Sequence, residues 1–187
     1  MKLQILTIIL AALLLAGCGR DVTQDVPAPA PTEAPEPSPA APEAAEEDPD
    51  VFRFSTTDRD GNAWDESVFT SNVLTMINFW EPWCGPCVGE MGDLQKLQDA
   101  YASRGFQILG VYQTPGMEED VDAVLRSTGV TYPILHYTGE FDVFQSGYVP
   151  TTVFVDGDGH VIGEGSSALY IGSNSYEGWA AIVEGML

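Results

Sequence analysis

The chain has 187 residues, 44% of them hydrophobic, with 7 Lys and Arg against 28 Asp and Glu for a formal charge of -21, a length that suits one domain with tails. Charge this negative disfavours nucleic acid, whose phosphates need Lys and Arg, and argues against electrostatic docking onto an anionic leaflet. Three cysteines are too few for a disulfide scaffold or for an all-cysteine four-ligand zinc site.

In chain order, Met1 and Lys2 precede an apolar run from Ile5 to Ala16 broken only by Thr7. That is the length of a signal-peptide core and short of the roughly 20 residues that span a bilayer, so residues 1–17 are expected to be a removed export signal. The run ends in Leu15-Ala16-Gly17-Cys18, which resembles a bacterial lipobox. The resemblance implies cleavage before Cys18, a lipid on its sulfur, and attachment to the bilayer through more than one acyl chain, the condition for stable anchoring.

Residues 18–50 are expected to be a disordered tether. Eight of the thirteen prolines lie between Arg20 and Asp50, and Asp21 to Asp50 holds nine acidic residues and no basic ones. Such a segment lacks the apolar residues that would offset the entropy of folding. At about 3.1 Å per residue it would reach up to roughly 90 Å.

Residues 51–187 form the expected domain, itself net -14. Val51–Ser55 and a segment around Ala63-Trp64 flank Asp60-Gly61-Asn62, which predicts a hairpin. Val73–Trp80 is a continuous apolar run suited to a buried central strand. Gly85–Arg104 carries Met91, Leu94, Leu97 and Tyr101 at helical spacing and stops at Gly105. Phe106–Tyr112 predicts a strand, Met117–Ser127 an acidic amphipathic helix, and Tyr132–Leu135 a short strand. Thr151–Val155 and His160–Gly163 flank Asp156-Gly157-Asp158-Gly159 as a second hairpin, and Tyr176–Leu187 predicts a closing helix. Strands alternating with helices predict an α/β sheet with helices on both faces.

The chemistry concentrates at Trp83-Cys84-Gly85-Pro86-Cys87, where a strand gives way to a helix. Backbone N–H groups at a helix N-terminus stabilise an anion, so Cys84 should favour its thiolate, the nucleophile of disulfide exchange. Cys87, one turn inside, is placed to resolve a mixed disulfide, and Pro86 suits the first turn because its missing N–H costs nothing there. A zinc site would need two more ligands, and residues 51–187 offer only His136 and His160 besides carboxylates. A copper-carrying variant built from Cys84, Cys87 and one histidine is the metal alternative.

Asn78 to Cys87 (NFWEPWCGPC) resembles the active-site strand and motif of the thioredoxin superfamily, in the setting of the TlpA/ResA-like membrane-tethered thiol-disulfide oxidoreductases. Val149-Pro150-Thr151-Thr152 matches that family's cis-proline loop, and Phe154-Val155-Asp156 its following strand. The stretch between Gln113 and Val149 resembles the helix-strand insertion of the TlpA/ResA-like branch. The resemblance implies an α/β thioredoxin fold, a central mixed sheet flanked by helices, with an N-terminal hairpin extension and that central insertion. It also implies an exposed Trp83 beside the nucleophile, a cis bond before Pro150 that exposes backbone groups for a substrate strand, and no cofactor beyond the Cys84-Cys87 disulfide. Partners would be exported disulfide-containing proteins, with a membrane thiol electron donor to recharge the pair; a monomer is the default.

One departure stands out: thioredoxins place a buried Asp where this chain has Asn78, which cannot take the proton of Cys87. Glu90, one helical turn beyond Cys87, can do so, and the TlpA/ResA-like branch often carries a glutamate there. Glu81 is expected as surface charge near the rim, and Trp64, Phe79, Trp80 and Phe154 as core. The leading function is disulfide reduction outside the cytoplasmic membrane, with disulfide formation on the same fold as the alternative. Peroxide reduction would need Thr or Ser three residues before its cysteine, where Glu81 stands.

Overall fold

The computed structural model describes residues 48–187; the expected export signal, Cys18 and nearly all of the expected tether lie outside the described residues. Along the chain, β1 (Ser55–Thr57) and β2 (Ala63–Asp65) pair antiparallel as a separate two-stranded hairpin. The ladder begins later than Val51 because Phe52 and Phe54 turn inward: their rings stack 5.8 Å apart, and Phe52 meets the rings of Phe141 and Phe144. Val51 instead bridges His160, and the Phe52 N–H donates to the Gly159 carbonyl. The turn of the hairpin is gathered by buried Asp58, whose carboxylate accepts from the backbone N–H groups of Asp60 and Asn62, the Asn62 amide and the Trp64 indole, each at 2.9 Å.

A four-residue helix, α1 (Ser67–Thr70), leads into β3 (Leu74–Trp80), every residue of which is buried. Then come α2 (Gly85–Tyr101), β4 (Phe106–Tyr112), α3 (Glu118–Thr128), β5 (Ile134–His136), a 3-10 turn at Gly139–Phe144, β6 (Thr151–Asp156), β7 (Tyr170–Ile171) and α4 (Tyr176–Met186). The larger sheet has the order β5-β4-β3-β6-β7, with β3, β4 and β5 mutually parallel and β6 antiparallel to both β3 and β7. The five-stranded mixed sheet flanked by helices is the α/β thioredoxin architecture expected from the sequence.

Side chains alternate across this sheet as the period of two requires. Leu74, Met76, Trp80, Phe106, Ile108 and Phe154 join the apolar faces of α2, α3 and α4 in one core. Ile77, Phe79, Leu109, Val111, Val153 and Val155 join Phe54, Val68, Phe69, Phe141 and Phe144 in the other. The three longer helices therefore share one face, and the second is closed by the N-terminal segment, α1 and the 3-10 turn. That turn was not legible in the sequence, although it supplies two fully packed rings.

The second expected hairpin forms only in part. Val161 makes an isolated bridge to Val155 and the Ile162 N–H donates to Phe154, but Gly163, at φ +103°, turns the chain away. A Cβ there would come within 2.9 Å of the Ala168 Cα. The edge position is filled by β7 instead. Among the described residues no helix is long and apolar enough to cross a membrane.

Candidate active site

Four segments meet at the C-terminal end of β3. The strand ends at Trp80, Glu81 and Pro82 turn the chain, and Cys84 becomes the N-cap of α2, with Pro86 in the first turn. Cys84 and Cys87 are joined as a disulfide. The Cys84 N–H donates to the Glu81 carbonyl at 3.0 Å, the Val88 N–H to the Cys84 carbonyl at 3.1 Å, and the Cys87 N–H points at the Cys84 sulfur at 3.2 Å. These contacts place the Cys84 sulfur at the N-terminal end of α2, where a thiolate would meet a donor and the positive end of the helix.

Cys84 is 5% exposed and Cys87 fully buried, so the two sulfurs are unequal: an incoming group meets Cys84 first. The peptide between Val149 and Pro150 is cis, and the Val149 carbonyl oxygen lies 3.6 Å from the Cys84 sulfur. Trp83 on one side and Tyr148 on the other are exposed aromatic rings. Gly85 and Pro86 separate the cysteines with open space about the Gly85 Cα.

Behind Cys87, Glu90 is buried at 3% exposure, not solvated as a helix-surface carboxylate would be. Its Oε1 accepts from the Asn78 amide at 3.2 Å, and its Oε2 from the Asn174 N–H at 3.0 Å and the Trp179 indole at 3.2 Å. Burial pushes its pKa above the ordinary range, and these three donors only partly offset the rise. Asn78 also donates to the Thr152 hydroxyl at 3.0 Å, its register partner on β6. Asn78 is thus the donor that orients Glu90, a role spacing alone could not have shown because the link crosses from β3 to α2.

Glu81 differs from its expected place. It is 5% exposed, and its Oε1 accepts from the backbone N–H groups of Gln113 at 3.0 Å and Thr114 at 3.1 Å, tying the turn after β3 to the loop after β4. Two backbone donors make this burial tolerable, which is why it is not a rim charge. Trp80 and Phe154 are buried, Phe79 nearly so, and Trp64 half-buried.

The histidines stand elsewhere. His136 at the end of β5 pairs its Nδ1 with the Tyr112 hydroxyl at 3.2 Å, and His160 lies in the turn after β6, within reach of Asp48 and Asp156. Among the described residues the single grouping of three metal-ligating side chains is Asp156, Asp158 and His160, so neither histidine completes a site with Cys84 and Cys87.

The AhpC/TSA family profile matches residues 48–163. A thiol-disulfide oxidoreductase ResA from Oceanobacillus iheyensis is 36% identical over 88 residues, covering 46% of this chain and 45% of that protein. A ResA from Geobacillus kaustophilus is 31% identical over 87 residues, 46% of this chain and 49% of that one. The chain spans about half the length of these curated relatives. Among solved structures, a thiol:disulfide interchange protein of the thioredoxin family from Chlorobium tepidum superposes with a TM-score of 0.62 at 26% identity, covering 75% of this chain and 97% of that one. A secreted Mycobacterium tuberculosis disulfide oxidoreductase superposes with a TM-score of 0.58 at 17% identity over 72% and 96% of the two chains, a likeness of fold. These findings agree with the TlpA/ResA-like resemblance of the motif.

Proposed function

Because the chain belongs to the AhpC/TSA family, we propose that it is a thiol-disulfide oxidoreductase that reduces protein disulfides through Cys84 and Cys87. The observation that carries this reading is the linked pair at the N-terminus of α2, with Cys84 outermost and next to the Val149 carbonyl. In the reduced protein the Cys84 thiolate attacks one sulfur of a substrate disulfide. A mixed disulfide forms, and the other substrate sulfur leaves as a thiolate and takes a proton.

Cys87 then gives up its proton, and its thiolate attacks the Cys84 sulfur. The second substrate thiolate is expelled and protonated, and the Cys84-Cys87 disulfide returns. The substrate gains two electrons from the cysteine pair and two protons, one from solvent and one equivalent to that released by Cys87. Glu90 is the group that takes the Cys87 proton: it is buried on the same helix one turn along, and its raised pKa makes it a stronger base than an ordinary carboxylate.

The direction rests on Gly85-Pro86, which resembles the reducing members of the superfamily. The setting rests on Leu15 to Cys18: an exported protein, held at the outer face of the cytoplasmic membrane by lipid on Cys18 and reaching substrates through the tether. Exported proteins meet an oxidising space, so recharging requires a membrane thiol donor. Peroxide reduction has no support at Glu81, a buried carboxylate with no hydroxyl to offer.

Equilibrating the protein with thiol buffers of known poise tests the direction. A potential of about -250 mV or lower is expected for a reductase; one above about -150 mV would overturn it in favour of a disulfide-forming oxidase. Cys18→Ala should release the protein from the membrane fraction, and retained membrane association would refute the lipid anchor.

A further inference from the structure

The groove beside Cys84 holds a charge that the exchange chemistry leaves unused. Glu81, Trp83, Gln113, Gln145, Tyr148 and Val149 line it, and it encloses about 880 Å³ including its open mouth. Trp83 and Tyr148 are 64% and 70% exposed, whereas Glu81 is 5% exposed, so aromatic rings form the rim and the carboxylate lies deep. Among the described residues, Glu81 is the only charged side chain in the lining.

Its two oxygens differ. Oε1 accepts the N–H groups of Gln113 and Thr114, but Oε2 is buried and has no hydrogen-bond partner. The amide nitrogen of Gln145 is already committed to Gln113 Oε1 and the Tyr137 hydroxyl, so it does not serve that oxygen. A buried carboxylate oxygen without a donor is unfavourable, and a cationic donor reaching it from outside would recover that free energy.

We propose that this groove is a specificity subsite for a basic side chain, Arg or Lys, flanking the cysteine of a protein disulfide. Glu81 supplies the counter-charge, and Trp83 and Tyr148 supply aromatic walls on which a cation rests favourably. The proposal builds on the thiol-disulfide exchange reading and adds the kind of substrate. Position supports it: Val149 both lines the groove and sets its carbonyl 3.6 Å from the Cys84 sulfur. A residue one or two places from the attacked cysteine, at about 3.5 Å per residue, falls within reach. Charge supports it as well, since among the described residues no Lys, Arg or His lines the groove and residues 51–187 are net -14. The long stem of the entering residue passes between the rim rings, which shift to open the path to Oε2.

The test compares reduction rates by the full chain for three peptide disulfides that share one mercaptoethanol leaving group and differ only in Arg, Leu or Glu beside the cysteine. Wild type is expected to favour Arg over Leu by about tenfold at low salt and Leu over Glu, with the preference shrinking as salt rises. Glu81→Gln keeps a carbonyl oxygen for the two backbone donors, and its Arg-to-Leu ratio should fall to within about twofold of unity. Taking the ratio within one protein cancels any change in the intrinsic reactivity of Cys84. Tyr148→Ala, a substitution at the exposed rim, should lower the same ratio by removing one wall, so the proposal stands or falls even where Glu81→Gln does not fold. Equal rates for Arg and Leu in wild type, with both peptides reduced, would overturn the subsite and leave the oxidoreductase reading intact. So would an undiminished preference in folded Glu81→Gln. Failure to reduce all three peptides and insulin would remove the exchange reading, and this proposal with it.

Discussion

Glu90 is pulled in opposite directions by burial and by hydrogen bonds, and two substitutions separate the forces. In Glu90→Gln, the new carbonyl oxygen can keep the Asn174 and Trp179 donors, leaving its NH2 toward Asn78. A flip of the Asn78 amide then presents its oxygen to that NH2, and the Thr152 hydroxyl turns from acceptor to donor to keep its own bond. The variant should fold, within about 1 kcal/mol of wild type where Glu90 is protonated. Glu90→Ala leaves the Trp179 indole with no acceptor in a buried site. Asn78 retains Thr152 and the Asn174 N–H is only partly buried. At about 1–3 kcal/mol for a buried donor left unmet, the loss from these donors comes to about 1–3 kcal/mol.

The pH dependence has a definite sign. Burial holds the Glu90 pKa above its unfolded value, so the folded state binds the proton more tightly than the unfolded state does. The stability this contributes is fully present below the unfolded pKa, about 4.3, and is lost as pH rises through the folded pKa, at up to about 1.4 kcal/mol per pH unit. Glutamine undergoes no such loss. Urea unfolding of wild type and Glu90→Gln should therefore give similar stabilities near about pH 4, with wild type falling behind toward about pH 7. A gap independent of pH, or one in which wild type gains on the variant, would refute the account of Glu90 as a buried, proton-holding carboxylate. The kinetic counterpart is a resolution step slowed on the order of 10²-fold in Glu90→Gln near neutral pH; an unchanged rate would remove it as the base for Cys87.

Cys84→Ser should abolish disulfide reduction and Cys87→Ser should accumulate mixed disulfides visible on non-reducing gels; equal activity in both would sink the order of attack. Asp58→Ala removes the acceptor of four hydrogen bonds in the β1-β2 turn and should cost about 2–4 kcal/mol at neutral pH, measured by urea unfolding. Burial pushes the Asp58 pKa up, but hydrogen bonds from Asn62, Trp64 and Asp60 outweigh it and hold it low. The wild-type advantage should therefore persist above the ordinary aspartate range, about 3.9, and fade as pH drops through the depressed value. Gly110→Ala places a Cβ 2.6 Å from the Ile134 Cδ1 and 3.2 Å from the Trp80 indole nitrogen. It should destabilise by about 1–3 kcal/mol, and an unchanged urea midpoint would show that β5 gives way freely.

Most of the sheet was legible because buried parallel strands advertise themselves as unbroken apolar runs. Val73–Trp80 and Phe106–Tyr112 fall within one residue of β3 and β4, and Gly105, at φ +82°, marks the stop between α2 and β4. What escaped were elements whose form is set by distant partners. The Phe141 and Phe144 turn folds as it does because Phe52, Phe54 and Phe79 await its rings on the same face of the sheet, and no local period encodes that. His160–Gly163 carried a good hairpin signal, but a glycine bend against Ala168 overrode it.

Glu81 and Glu90 show the same limit within the site itself. Both are acids near a CxxC motif, and helical spacing drew attention to Glu90, three residues beyond Cys87. Glu81 has no periodic partner: the groups that receive it are backbone N–H groups on the loop after β4, more than thirty residues away. A carboxylate among Trp, Pro and Trp in a turn reads from sequence as exposed, because exposure is the default for an acid without a visible cation. The donors that reverse that default carry no side-chain signature, since any residue but proline supplies an N–H. They satisfy one oxygen and leave the other without a partner, in a groove shared with Val149, whose carbonyl lies 3.6 Å from the Cys84 sulfur. The feature hardest to read in the sequence is therefore the one placed to discriminate among substrates, because it depends on a contact between two loops and not on any repeat along one.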